Sequence, residues 1–225
     1  MSFKKMLALL MSVLSIAACA LPFSGCGKII GNASDKGAKS GAVRNLTENI
    51  SKNDSGSKAA DKEFKAAAAS FSADLFKYNY SNGKTTLVSP LSVLTALALV
   101  QNGAEGETLV QLERALGGLD RDALNKYMRA YCDFLSAGDE LKIANSVWTD
   151  SSVEAKQAFL QKAVDSYSAQ IFSAPLSSKK TVSSINSWVK KNTDGMIPKI
   201  IENADRDAVM MLINAVAFEA KWETP

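Results

Sequence analysis

No histidine occurs anywhere in the 225 residues of this chain. Its absence removes the usual general base, the usual partner of a nucleophilic serine or cysteine, and the commonest zinc ligand. Much conventional hydrolase chemistry is thereby excluded, and neither a catalytic residue nor a metal site is expected. Cysteine is nearly as scarce: Cys19, Cys26 and Cys132 form no CxxC pair, and two of them fall in the first 26 residues. Neither a metal knuckle nor a disulfide framework is supported, and Cys132 reads as a small buried hydrophobe. Charge of one sign is not in excess either. The 26 Lys and Arg are scattered among 23 Asp and Glu, a formal balance of +3, so the basic surface of a nucleic-acid binder is missing. No nucleic-acid partner is expected, and no cofactor is called for.

What is present begins with a leader. With 47% hydrophobic and 22% charged residues the chain as a whole is globular in composition, but residues 1–26 carry Lys4-Lys5 and then an uncharged stretch from Met6 to Leu21. Positive-then-apolar order is that of a bacterial secretory signal. Pro22 and Gly25 interrupt the run short of the roughly 18 apolar residues of a spanning helix, which favours export over a permanent span. Two stretches resemble the box cleaved before lipid is attached to a cysteine, Ile16-Ala17-Ala18-Cys19 and Phe23-Ser24-Gly25-Cys26. Cys26 is preferred because a polar tail follows it; Cys19 is the alternative, and an ordinary cleaved signal peptide is a third. A secreted or cell-surface bacterial protein is expected, touching the membrane only through a lipid anchor.

Residues 27–60 are rich in Gly, Ser, Asn, Asp and Lys up to Lys58. So few aliphatics cannot offset the entropy of ordering, and a disordered tether is expected. Residues 61–225 form the folded part. Phe64, Phe71, Leu75 and Tyr78 recur at helical spacing from Asp61 through Tyr80. Thr85–Val88 is β-prone, and Ser89-Pro90 then supplies an N-cap and a proline at the first helical position. The helix it opens, Leu91 to Gln101, has no charged residue and is expected to be buried. Further helices are predicted over Gly106–Leu116, Asp120–Leu135, Glu154–Tyr167 and Val182–Thr193, and strands over Leu141–Trp148 and Gln170–Ala174. The aliphatic run Ala208–Phe218 fits a buried strand or a buried helix equally well on its own. Asn214 in its middle needs a polar partner if buried, because an unsatisfied amide costs roughly 1 to 3 kcal/mol.

From about Asp61 to Pro225 several stretches, taken in order, resemble the N-terminal half of a serpin, a serine protease inhibitor. They include Ser89-Pro90-Leu91-Ser92, Gly103-Ala104-Glu105-Gly106-Glu107-Thr108, Ala144-Asn145-Ser146-Val147-Trp148, Ile185-Asn186-Ser187-Trp188-Val189, and Phe218 with Lys221-Trp222. The resemblance implies an α+β fold, with N-terminal helices packed around part of a large, mainly antiparallel sheet, the domain being incomplete. It makes Ala208–Phe218 a strand beside the gap that accepts a reactive loop. It also groups Ser89, Ser92 and Asn214 as a polar cluster under that gap, places Trp222 at its top, and lays a latch helix bearing Ile185, Trp188 and Val189 across the sheet. The implied function is inhibition of a target serine or cysteine protease by loop cleavage and insertion, with no enzymatic activity of its own. The reactive-centre loop would lie in polypeptide not among these residues.

Departures and rivals remain. Ala220 stands where the family usually has glycine, which implies strain if that glycine uses a backbone angle alanine avoids. The histidine that inhibitory members contribute to the polar cluster cannot come from this chain. Ser89 and Ser92 also read as a helix cap and a buried hydroxyl, and Trp222 as a core aromatic. Ser-x-x-Lys occurs at Ser55, Ser177 and Ser187, the spacing used by penicillin-binding proteins, but the companion Ser-Asp-Asn and Lys-Thr-Gly motifs are absent. A serpin-like surface protein that binds a partner without inhibiting, or an inactive fragment, is the main alternative.

Overall fold

The computed structural model describes residues 42–220, except Ser55, Asp139, Asp205 and Arg206. Cys19, Cys26 and Trp222 lie outside the described residues. Two elements that meet at the start of the folded part illustrate how local chemistry sets boundaries. Helix α1 (Lys62–Asn79) begins where Asp61 accepts a hydrogen bond from the Phe64 N–H at 3.1 Å, and α2 (Pro90–Gln101) begins where Ser89 accepts from the Ser92 N–H. Both caps satisfy N–H groups left without intrahelical partners in the first turn. Helix α3 (Gly106–Ala115) and α4 (Arg121–Leu135) follow, then strand β2 (Leu141–Asp150), α5 (Gln157–Tyr167), strand β3 (Gln170–Ala174) and α6 (Lys179–Asn192).

The strands are β1 (Arg44–Asn45), β2 (Leu141–Asp150), β3 (Gln170–Ala174) and β4 (Met210–Phe218), joined in the order β1-β3-β2-β4. Strand β3 runs parallel to β2, whereas β1–β3 and β2–β4 are antiparallel. The aliphatic run whose type was open is therefore a strand, paired with β2 from Leu141 opposite Phe218 to Thr149 opposite Met210.

Because successive side chains of a strand point to opposite faces, the sheet separates two cores. Val147 and Ile171, with the partly buried Met210 and Leu212, face the helical layer of Phe64, Leu94, Leu99, Tyr127 and Tyr167. Ala144, Trp148, Phe172, Ile213 and Ala215 face the other way, against Ile185 and Val189 of α6. Cys132 is buried in the helical core, and burial pushes its thiol up to about 11.

Three expectations need correction. The second half of the expected tether is held to the domain: Arg44–Asn45 pair with β3, the Leu46 N–H donates to the Ile171 carbonyl at 2.7 Å, and the Asn53 N–H donates to Asp165 Oδ1 at 2.7 Å. Thr47 is buried, and its hydroxyl accepts from the Ile171 N–H. Backbone and side-chain hydrogen bonds to β3, α4 and α5, with Val43, Leu46, Ile50 and Ala60 packed against the cores, hold the segment. Thr85–Val88 forms no strand, since no described strand lies beside it to pair with. Tyr78 is 87% exposed, because α1 outruns its core after Leu75.

Candidate functional site

Strand register places Asn145 of β2 directly opposite Asn214 of β4, on the face toward α2. The Asn214 amide donates to Asn145 Oδ1 at 2.7 Å, and the Asn145 amide donates to the Tyr167 carbonyl at 2.9 Å. From the same tyrosine the hydroxyl donates to Asn125 Oδ1 at 2.6 Å, and Asn125 exchanges amide hydrogen bonds with Asn102 at 2.8 and 3.0 Å. A line of polar side chains thus crosses the helical core from β4 to the end of α2. Burial drives the Tyr167 phenol far above its ordinary range, so it stays a neutral donor.

Ser89 and Ser92 are both buried, with hydroxyls 3.0 Å apart. The partner of Asn214 expected among these serines is instead Asn145. A strand-to-strand amide pair reaches Asn214 at direct register, whereas the serine hydroxyls bond to each other and to the first turn of α2. Asn214 Oδ1 is buried and has no hydrogen-bond partner among the described residues. Asn145 and Tyr167 had no role assigned from sequence; the matching asparagines of the two strands were the available signal.

On the opposite face, Ile185 and Val189 of α6 are fully buried against the sheet. Trp188 is half-buried: its indole N–H donates to Gln170 Oε1 at 2.5 Å, and its ring meets Phe172 edge-on at 6.5 Å. Phe172 in turn stacks on Trp148 at 4.3 Å. The end of α6 is fixed by Asp194, which has φ 48° and pairs with Lys142 of β2. Ala220 is not strained in the way expected, because the positive-φ non-glycine residues among those described are Ser168 and Asp194. The arrangement is a sheet face covered by a helix, and no group of three or more His, Cys, Asp or Glu side chains that could hold a metal ion gathers among the described residues.

The order of these elements is that of a known family: residues 66–225 match the family model for Serpin (serine protease inhibitor). The chain belongs to the serpin family. Curated serpins similar to it include Serpin-Z2A of Oryza sativa subsp. japonica, 34% identical over 155 residues, which are 64% of this chain and 37% of that protein. The leukocyte elastase inhibitor of Bos taurus is 31% identical over 172 residues, 72% of this chain and 45% of that protein. Among solved structures, the native state of the thermophilic serpin tengpin aligns with a TM-score of 0.74 and 43% identity, covering 81% of this chain and 48% of that one. A loop C-sheet serpin polymer aligns at 0.72 and 44%, covering 79% and 48%. The chain therefore spans less than half the length of these relatives. Its six helices and mixed four-stranded sheet, counted among the described residues, are part of a serpin domain.

Proposed function

We propose that this chain supplies the helical layer, the latch helix and one side of the insertion gap of a serpin that inhibits serine or cysteine endopeptidases. A reactive loop carried by polypeptide outside these residues would be cleaved by the target protease and enter the sheet beside β4. The observation that supports this most is the buried Asn214 Oδ1, without a partner among the described residues, on β4, the terminal strand of the described sheet. A buried acceptor without a donor costs stability, and the histidine that the serpin resemblance adds to this polar cluster would supply an imidazole donor from outside these residues. Trp222, expected at the top of the gap, and the serine pair below it complete the proposed switch.

The test is a mixing experiment with the gene product that carries these residues together with a reactive loop. Incubation with chymotrypsin-like, elastase-like and papain-like proteases should yield a denaturant-stable band at the summed mass less the C-terminal fragment released by loop cleavage. Cleavage of the loop without such a band would favour the non-inhibitory, partner-binding reading. The 225-residue chain by itself should form no covalent complex.

We further read residues 1–26 as an export leader with lipid attachment at Cys26, or at Cys19. Metabolic labelling with an alkynyl fatty acid in a bacterial host should tag the wild-type protein and not Cys26→Ser. Label retained by that variant and lost from Cys19→Ser would move the anchor.

A further inference from the structure

On α6 the positions 179, 182, 183, 186, 187 and 190 follow the i, i+3, i+4 pattern that lines one face of a helix. This face flanks Ile185 and Val189, which are buried against the sheet. It forms one wall of a groove of 710 Å³, and residues 198–204, which lead toward β4, form the other. That volume lies in the range of sites for small ligands.

The two walls are stitched together at the base. Asn186 Oδ1 accepts from the N–H groups of Ile200 and Ile201 at 2.8 and 3.1 Å, and its amide donates to the Ile201 carbonyl at 2.9 Å. Above this floor the groove carries a net positive charge, with Lys179, Lys190 and Lys199 against Glu202. Lys199 is paired with Glu202 at 3.0 Å, whereas Lys179 and Lys190 make no ion pair among the described residues. They stand at the two ends of the α6 stripe, three turns apart, or about 16 Å along the axis. Between them Ser183 and Ser187 are exposed and make no hydrogen bond with other described residues. Two separated cations with hydroxyl donors between them match an extended ligand with negative charge at both ends.

We propose that this groove binds a small ligand bearing two or more sulfate or phosphate groups, and that the ligand clamps α6 to the segment feeding β4. Lys179 and Lys190 hold its two ends, and Ser183 and Ser187 donate to oxygens between them. Because one wall is the latch helix and the other runs into β4, occupancy resists separation of the two. The binding step stands independently of protease inhibition.

The experiment titrates the 225-residue chain at low salt with inorganic tripolyphosphate and with a fully sulfated disaccharide, by calorimetry and by hydrogen exchange. Saturable binding of either probe is expected, weakening as salt rises; whichever binds more tightly identifies the anionic group. K179Q/K190Q should weaken binding about tenfold or more. K65Q/K77Q, which removes the same charge from α1, should weaken it less than about twofold. Exchange at the Ile200 and Ile201 amides should slow on binding. No saturable binding of either probe, or equal losses in the two variants, would overturn the site. Binding with unchanged exchange at those amides would overturn the clamp.

Discussion

The Asn214 side-chain amide donates to Asn145 Oδ1 at 2.7 Å across the β2–β4 ladder, joining the terminal strand to a polar line that reaches Tyr167. Asn145 accepts from Asn214 and donates onward to the Tyr167 carbonyl, while both side chains are buried. Asn145→Ala leaves the Asn214 amide and the Tyr167 carbonyl without partners and should cost about 1–3 kcal/mol. Asn214→Ala should cost less, because it also removes the unpartnered Oδ1. Denaturant unfolding of the two variants and the double variant checks this: the double should be less destabilised than the sum. Strict additivity would mean that the pair is not coupled.

Ile185, with Val189, is a fully buried contact of α6 on the sheet. Ile185→Ala should lower stability by about 2–5 kcal/mol, the cost of a large-to-small change in a packed core. Hydrogen exchange should rise along α6 and β2 and remain slow in α1. A uniform rise throughout the molecule would show that α6 is not a separable unit.

Residues 42–60 offer a sharper test, because polar contacts fix them alongside the packing of Val43, Leu46, Ile50 and Ala60. Thr47→Val keeps the shape but removes the hydroxyl that accepts from the Ile171 N–H at 3.2 Å and donates to Asn45. A loss of about 1–3 kcal/mol is expected, with new protease cutting between residues 46 and 58. Wild-type stability with unchanged cutting would leave the segment without a structural role.

Acid sensitivity follows from Asp61. Its carboxylate accepts from the Phe64 N–H, from the Tyr127 hydroxyl at 2.7 Å, and from Lys58 at 3.0 Å, and these hold it well below the ordinary carboxylate range. The Ser152 N–H and hydroxyl depress Asp150 in the same direction. A depressed carboxyl contributes stability above its unfolded value, about 3.9 for aspartate, and that contribution is lost as pH falls through the folded value. Thermal midpoints should therefore be level from pH 7 to 5 and drop below pH 4. Asp61→Asn keeps the cap acceptor without the charge and should flatten part of that drop; an unaltered profile would assign the acid sensitivity to other groups.

Some of this architecture was readable from residue order alone, and some was not. Ser89-Pro90 located the start of α2 because cap and proline act locally, and Gln170–Ala174 was bounded correctly as β3. Ala208–Phe218 could not be assigned from periodicity, since a run buried on both sides has none; the serpin resemblance decided it. Residues 42–60 were misread because their partners lie far along the chain, on Ile171, Asp165 and Lys126. The partner of Asn214 was missed for a similar reason, as only strand register brings Asn145 opposite it. Helix α6 starts three residues before the predicted Val182, because Ser178 caps its first turn by accepting from the Lys180 N–H.

The stacked rings of Trp148 and Phe172, met edge-on by Trp188, give the molecule a built-in optical reporter. Two of the three rings belong to the sheet and the third rides on α6, tied to Gln170 by a single hydrogen bond. Lifting α6 would part the indole from its neighbours and wet it. A red shift in intrinsic emission would thus time the departure of the helix in unlabelled protein.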